Sequence, residues 1–184
     1  CQQAVQYDLD YYHGKLISKC SLFTNEMVGL AKASAVFHGA EHTIPDLLRY
    51  FQGIRSEDAF RRMCVLDAII LNPDRHYGNF GVLFDTTTME ILRMAPVFDN
   101  NKSLLPELDD DQLATPGWYI ARCRPRIGRD FIITARGLLT EEIRADLERL
   151  RDFTFRQHPK IQAEQVRLDA LSAIVRERIR QILT

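Results

Sequence analysis

The chain has 184 residues and a formal net charge of −1 at pH 7, with 46% hydrophobic and 27% charged residues, as in an ordinary globular protein of one domain or slightly more. A net charge near zero gives no electrostatic argument for nucleic acid as a partner. The longest apolar run, residues 63–71, is interrupted by Asp67 and is too short to cross a bilayer, so we expect a cytoplasmic protein without a membrane partner.

The four cysteines give no sign of a metal site. Cys1, Cys20, Cys64 and Cys123 are widely spaced and form no Cys-x-x-Cys pair, so a zinc site built from them is not expected. Reduced thiols are the expectation, because disulfides are rare in the cytosol. The first residue is a cysteine and not a methionine, which indicates a fragment or an excised domain.

An alternating pattern predicts a β-hairpin at the start of the chain. Apolar or aromatic residues occupy every second position from Val5 to Tyr11, and residues 16–21 form the returning strand. His13 and Gly14 lie between the strands, and Gly14 supplies the positive φ that such a turn often needs.

Three helices are predicted next. The first follows the N-cap candidates Thr24 and Asn25, carries apolar side chains at helical spacing over residues 27–36, and extends up to His38 and Gly39. Residues 43–53 begin with an N-cap threonine and an early proline and end at a glycine. The third helix follows Ser56, is broadly apolar as a central buried helix should be, and must end by residue 72, because Pro73 disfavours helix for the residue before it.

Asp67 lies inside the apolar run of that third helix. A buried carboxylate without a partner is costly, and Arg75 is the nearest basic candidate. An Asp67–Arg75 ion pair is therefore one hypothesis, and it would hold the following loop from behind. The alternative is that Asp67 faces solvent or caps a backbone group.

The second half of the chain gives weaker signals. Two short strands are predicted over residues 80–84 and 90–94, followed by a loop over 103–117 whose run of three aspartates is interpreted as a solvated turn. Arg122, Arg124, Arg126 and Arg129 form a basic cluster, either for a phosphate or acidic substrate or as charge-balanced surface. Helices are predicted after Thr140 and after Pro159.

One stretch carries most of the chemical information. Residues 72–79 read Asn-Pro-Asp-Arg-His-Tyr-Gly-Asn, and a second carboxylate, Asp99, follows the two short strands. Phosphoryl transfer requires a group that orients the attacking hydroxyl and oxygen ligands that hold magnesium against the phosphates. Asp74 suits the first role, and Asn79 with Asp99 suits the second.

These residues resemble a kinase catalytic site. Asp74 and Asn79 have the Asp-x-x-x-x-Asn spacing of the kinase catalytic loop, and Asp99 stands where the Asp-Phe-Gly aspartate would come. The order Asp74, Arg75, His76 resembles the phosphatidylinositol 3- and 4-kinases and the HipA-like bacterial kinases. Residues 72–73 and 96–99, Asn-Pro and Pro-Val-Phe-Asp, are more similar to HipA-like proteins. The Phe-Gly of ordinary protein kinases is replaced by two asparagines, residues 100 and 101.

The resemblance implies an α+β, mainly helical fold like the C-terminal lobe of the protein-kinase-like fold. It implies a serine/threonine protein kinase that uses ATP and magnesium and acts on a protein substrate. The residues implied are Asp74 and His76 for catalysis, Ser21, Leu22, Phe23 and Asn79 for the nucleotide, and Asn79 and Asp99 for magnesium. The His76 position is linked to phosphate contact in lipid kinases, although a structural histidine is the alternative. Residues 1–23 would form the hairpin and hinge, 24–105 the catalytic core, 106–137 a region like an activation segment, and 138–184 a helical C-terminal part.

Several alternatives remain open on the sequence. No glycine-rich phosphate cover exists, and only about twenty residues precede the hinge, so we expect a fragment that lacks the N-lobe and is a poor catalyst alone. A pseudokinase or protein-binding module, with the N-lobe or a regulatory protein as partner, is the second reading. A metal hydrolase using Asp74, His76 and Asp99 is the third. Lipid or small-molecule hydroxyls are further possible acceptors.

Overall fold

The computed structural model describes residues 4–37 and 42–184. Two small antiparallel sheets and a set of helices make up this part of the chain, which is the mixed α+β class that the sequence predicts. None of the helices is long and apolar enough to cross a membrane, within the residues described.

The predicted N-terminal hairpin is confirmed. Strands β1 (Tyr7–Tyr12) and β2 (Lys15–Cys20) pair antiparallel. The connecting residues His13 and Gly14 have φ values of 48° and 72°, as the twist-matched two-residue hairpin turn requires. Just before β1, Ala4 forms a parallel bridge with Val97, and Val5 N donates to Val97 O at 2.8 Å. The hairpin is therefore tied to the segment that leads into Asp99.

The helix predicted over residues 24–36 is largely wrong. Strand β3 (Val28–Lys32) occupies its middle and pairs with β4 (Gly81–Asp85), which also pairs with β5 (Ile91–Met94). Within the described part of this segment only α1 (Ala33–Val36) is helical, and the predicted end at His38 and Gly39 lies outside the described residues. The β4 and β5 strands agree with the sequence prediction.

Local turn chemistry and close packing explain this strand. The Asn25 carboxamide oxygen accepts the N–H groups of Met27 and Val28 at 2.8 and 2.9 Å, which starts a turn and not a helix. Gly29 lies beneath the ring of Phe84, where an added Cβ would stand 2.4 Å from Cζ. The pairing with β4 therefore depends on a glycine whose role becomes visible only when the distant strand is in place.

Helices α2 (Ile44–Gly53) and α3 (Glu57–Ile70) follow the predicted bounds. Thr43 and Asp46 form a capping box on α2. Ser56 precedes α3 without capping it, because its hydroxyl accepts the N–H of Met94 at 2.9 Å.

Helix α3 is central, as its broad apolar coverage predicts. Its Phe60 and Met63 pack in one buried cluster with α2 and β4, whereas Val65 and Ala68 belong to a second cluster with the C-terminal helices. Because α3 is packed from both directions, the loop at its C-terminal end starts from a fixed position.

The region predicted as an irregular loop, residues 103–117, contains the short helix α4 (Asp110–Ala114), and a second short helix, α5 (Gly117–Arg122), begins at its last residue. The aspartate run lies at the surface as predicted, with Asp109 and Asp111 exposed, but it starts a helix and does not form a turn. Asp109 caps α4 in a capping box with Gln112, and Asp110 lies 3.0 Å from Nη1 of Arg167. Acidic residues are stabilised at this end of a helix by its dipole, which explains the run.

Three helices complete the chain: α6 (Phe131–Gly137), α7 (Glu141–Arg149) and α8 (Gln165–Leu183). Thr140 caps α7 as predicted, with its hydroxyl accepting the N–H of Ile143. The last helix begins later than expected and leaves out Ile161. The backbone N–H of Ile161 donates to Nδ1 of His158 at 3.2 Å, and this side-chain contact holds residues 158–161 outside the helix.

The structure describes three of the four cysteines, and all three are free. Cys20 is exposed, Cys64 is buried and Cys123 is partly buried. Cys1 lies outside the described residues.

Candidate active site

The chain leaves α3 through a left-handed residue. Leu71 has φ 51° and ψ 53°, and Asn72 N donates to Asp67 O at 3.0 Å. Asn72 is fully buried, and its side chain both donates and accepts a hydrogen bond. Its Nδ2 donates to Asp67 Oδ1 at 3.1 Å, and its Oδ1 accepts the N–H of Asp74 at 3.0 Å. Asn72 therefore fixes the backbone of Asp74 relative to the helix.

The Asp67–Arg75 ion pair predicted from the sequence is confirmed. Arg75 Nε and Nη2 each lie 2.9 Å from one oxygen of the Asp67 carboxylate, in a two-point contact. Both residues are buried, with 2% of Arg75 and 5% of Asp67 exposed. Burial raises the pKa of the Asp67 carboxyl, and the hydrogen bonds from Arg75 and Asn72 oppose that rise. A buried ion pair thus anchors the loop to α3.

The same guanidinium joins two separate parts of the site. Nη1 of Arg75 donates to the backbone carbonyls of Asn79 at 2.7 Å and Phe98 at 2.5 Å, and Nη2 also donates to Asn100 Oδ1 at 2.5 Å. Phe98 and Asn100 are the immediate neighbours of Asp99. Arg75 consequently holds the end of the catalytic loop and the Asp99 segment on one planar group.

Asn79 and Asp99 have oxygen atoms suited to a cation. The Asn79 amide nitrogen donates to Asp74 O at 2.9 Å, which leaves the carboxamide oxygen as the available ligand atom of this buried side chain. Asp99 has φ 56°, and its backbone N–H donates to the hydroxyl of Tyr7 at 3.3 Å. Within the described residues no donor contacts its carboxylate. One carboxylate plus one amide oxygen, completed by phosphate and water, fits magnesium.

Asp74 is partly open to solvent and has a partner that the sequence reading did not assign. Its side chain is 29% exposed, and its Oδ1 lies 3.2 Å from Nε of Arg126, a residue of the basic cluster. The Arg126 side chain is 60% exposed. The Asp74 carboxylate is therefore paired with the long, exposed side chain of a surface arginine and not with a buried cation.

His76 is held against the loop by Gly78. Its Nδ1 accepts the Gly78 N–H at 2.9 Å, so a neutral ring carries its proton on Nε2. A Cβ at residue 78 would stand 2.8 Å from Cε1 of His76. The glycine is therefore needed to leave space for the ring. Residues 77 and 78 also form a turn, in which Asn79 N donates to His76 O at 2.8 Å.

The three hinge candidates follow β2. Ser21 and Leu22 are exposed, Leu22 by 87%, whereas Phe23 is partly buried. The Phe23 ring stacks on the ring of Phe98 with centroids 5.8 Å apart. Phe23 therefore borders the Asp99 segment, and Leu22, one residue earlier, is an open apolar side chain.

A histidine-rich metal site is not present in the described ranges 4–37 and 42–184, where no three His, Cys, Asp or Glu side chains gather closely enough to hold an ion. The hydrolase alternative requires such a cluster, since these sites recruit several His or Asp ligands. A magnesium site made with phosphate oxygens does not require it.

Comparison with known proteins bears on the fold. The chain matches no protein-family model and no curated protein sequence. Among solved structures, it superposes on the crystal structure of a Helicobacter pylori proinflammatory kinase, CtkA, with a TM-score of 0.66. The chain has a kinase-like fold. The two sequences are 17% identical, and the alignment covers 99% of this chain and 78% of that kinase.

Three contributors to the site were not assigned from the sequence: Asn72, Tyr7 and Arg126. Asn72 stood inside the motif but was used only for family resemblance. Tyr7 and Arg126 are far from the catalytic loop along the chain. The basic cluster suggested a phosphate or acidic substrate for Arg126 but not its contact with Asp74. Asn100, noted only as a departure from the kinase pattern, accepts from the Arg75 guanidinium.

Proposed function

We propose that the chain is the phosphotransfer unit of a HipA-like serine/threonine kinase, which uses ATP and magnesium to phosphorylate a hydroxyl of a protein substrate. The observation that carries the proposal is the Arg75 guanidinium, which is bonded to Asp67, to the carbonyl of Asn79 and to both neighbours of Asp99. The kinase-like fold supports it independently.

The metal would be held by the carboxamide oxygen of Asn79 and the carboxylate of Asp99. Magnesium supplies neutralisation of phosphate charge when bound there. The protein's own contribution is positional: the Asn79 side chain is oriented by its bond to Asp74 O, and the Asp99 backbone is oriented by Tyr7 and Arg75. Ligands fixed before binding need no reorganisation when the nucleotide arrives.

Asp74 would orient the attacking hydroxyl and accept its proton. Its partial exposure leaves it open to an acceptor once Arg126 moves away. His76 would donate from Nε2 to a phosphate oxygen, because its Nδ1 is already occupied by Gly78 N–H. Ser21, Leu22 and Phe23 would border the adenine, with the open Leu22 side chain as an apolar contact.

The kinase fold by itself does not choose the acceptor. A protein hydroxyl is proposed because the Asn-Pro-Asp-Arg-His loop and the Pro-Val-Phe-Asp segment are HipA-like. A cytoplasmic location belongs to the same proposal. Lipid or small-molecule phosphorylation, or nucleotide binding without transfer, are the outcomes that would replace it.

The test is transfer of phosphate, detected by mass spectrometry. The protein, in this form and in any longer natural form, is incubated with magnesium, ATP and a library of serine- and threonine-containing peptides. Time-dependent addition of phosphate to hydroxyl residues is expected, and Asp74→Asn should reduce it by at least about a hundredfold. Equal rates for the wild-type and Asp74→Asn proteins would contradict the assigned role, and nucleotide binding without transfer would favour a pseudokinase.

A further inference from the structure

An open groove of about 950 Å³ lies beside the catalytic loop. His76 and Tyr77 of the loop form part of its wall, and residues 42–45 at the start of α2 form another part. The rest is lined by residues 126–130, 133, 134, 137 and 138. We call it the arginine groove. It is separate from the Asn79 and Asp99 oxygens, because neither of these residues lines it.

The groove is basic. Arg126 and Arg129 both line it, and both are exposed. Asp130 is the acidic residue among the described lining residues, and its Oδ1 accepts the N–H groups of Ile132 and Ile133 at 2.8 and 3.0 Å, as the N-cap of α6. The lining therefore carries more positive than negative charge, and its carboxylate is already engaged.

A tight turn brings the two arginines to the same loop. Gly128 between them has φ 82°, and an added Cβ would stand 2.5 Å from the Thr134 hydroxyl oxygen. A residue with a side chain is disfavoured there both by conformation and by space. The arrangement of Arg126 and Arg129 thus depends on this glycine.

The groove also has apolar surface. Ile44 of α2 and Ile133 of α6 line it, and Ile133 is 74% exposed. A large apolar side chain left this open beside basic groups suits a peptide, which offers carboxylates and apolar side chains together. Nucleic acid is disfavoured, because the net charge of the whole chain is −1.

Arg126 connects the groove to the chemistry. Its Nε lies 3.2 Å from Asp74 Oδ1, in a contact that is largely open to solvent. Exposed ion pairs of this kind are typically weak and readily exchange partners. A carboxylate entering the groove would compete for Arg126 and free Asp74.

We propose that the arginine groove binds an acidic segment of the protein acceptor, with Arg126 and Arg129 pairing to carboxylates beside the hydroxyl residue. Arg126 then leaves Asp74 for the acceptor's carboxylate, so the acidic segment itself uncovers the catalytic residue. The role in catalysis rests on the proposed function, but binding of the acidic segment does not.

The test measures peptide binding by fluorescence anisotropy, without nucleotide. The probe is a labelled twelve-residue peptide with one central serine, glutamates on both sides and one leucine, and the matched control has every glutamate replaced by glutamine. The glutamate peptide should bind at least about tenfold more tightly at low salt, and added salt should weaken it. Arg126→Gln and Arg129→Gln should each weaken it by about threefold to fivefold.

Arg124→Gln is the control variant. Arg124 belongs to the same basic cluster, but it donates to the carbonyl of Cys123 and does not line the groove. The affinity of the Arg124→Gln variant for the glutamate peptide should equal that of the wild-type protein. Equal binding of the two peptides, or an equal loss in Arg124→Gln, would overturn the proposal. Displacement of the peptide by inorganic phosphate or by a twelve-nucleotide oligothymidine at matching concentrations would also overturn it.

Calorimetry with ATP and magnesium separates this inference from the proposed function. Nucleotide binding without preference for the glutamate peptide removes the inference and leaves the kinase proposal. Preference for the glutamate peptide without nucleotide binding removes the kinase proposal and supports an acidic-peptide site.

Discussion

Arg75 is the residue on which the site depends most, and Arg75→Met tests this. The substitution keeps a long side chain but removes both contacts to Asp67 and the donors to Asn79 O, Phe98 O and Asn100. Breaking one partner of a buried ion pair costs about 3–5 kcal/mol, because the other charge is left in a low-dielectric interior. We expect a loss of this size in the free energy of unfolding, measured by urea denaturation.

Two companion variants separate the buried charge from the loop anchor. Adding Asp67→Leu to Arg75→Met removes the stranded carboxylate, so at least about 2 kcal/mol should return. Nucleotide binding should stay lost, because the loop remains unanchored. Arg49→Met is the surface control: Arg49 is paired with Asp46 but 76% exposed, so it should cost less than about 1 kcal/mol. A cost below about 1 kcal/mol for Arg75→Met, or no recovery in the double variant, would refute the reasoning.

The single variant Arg75→Met should also change the pH dependence of stability. Burial raises the pKa of Asp67, and the opposing hydrogen bonds from Arg75 are lost. Above the unfolded pKa of about 3.9, the folded variant then binds more protons than the unfolded chain, so its free energy of unfolding falls as the pH rises. Urea midpoints between pH 5 and pH 8 should decrease more steeply in the variant than in the wild-type protein.

The remaining predictions concern packing and capping. Gly78→Ala should displace the His76 ring, because the new Cβ would stand 2.8 Å from Cε1; a shift of the His76 ring resonances in NMR is expected, and unchanged resonances would contradict the close contact. Thr43→Ala removes the capping box with Asp46 and should cost about 1 kcal/mol in urea denaturation, whereas no measurable change would show that the cap is not formed. Burial raises the pKa of the Cys64 thiol, so it should react with a disulfide reagent only as the protein unfolds; fast labelling of Cys64 in the native protein would count against that burial.

The sequence predicted features whose determinants are close together in the chain. The hairpin turn at Gly14, the capped start of α2 and the end of α3 each depend on a few adjacent residues. The Asp67–Arg75 pair was predictable for the same reason, because Asp67 lies in the last turn of α3 and Arg75 is the nearest basic residue after the helix ends. The order of Asp74, Asn79 and Asp99 carried the expectation of a kinase-like fold.

Features that depend on distant parts of the chain were not predictable in this way. Strand β3 has helical spacing locally, and only its pairing with β4, permitted by Gly29 under Phe84, makes it a strand. The contact of Arg126 with Asp74 and that of Tyr7 with Asp99 each join two segments that are far apart in the chain. No periodicity or motif marks such residues before the elements are in place.

The most direct measurement of the central claim is calorimetric titration of ATP into the protein with and without magnesium. Because Asn79 and Asp99 supply the proposed metal oxygens, binding should depend on magnesium, and Asp99→Asn should weaken it much more than Asp74→Asn. This difference is the predicted result, since Asp74 acts on the acceptor and not on the metal. Magnesium-independent binding, or equal and negligible effects of the two variants, would contradict the assignment of this site.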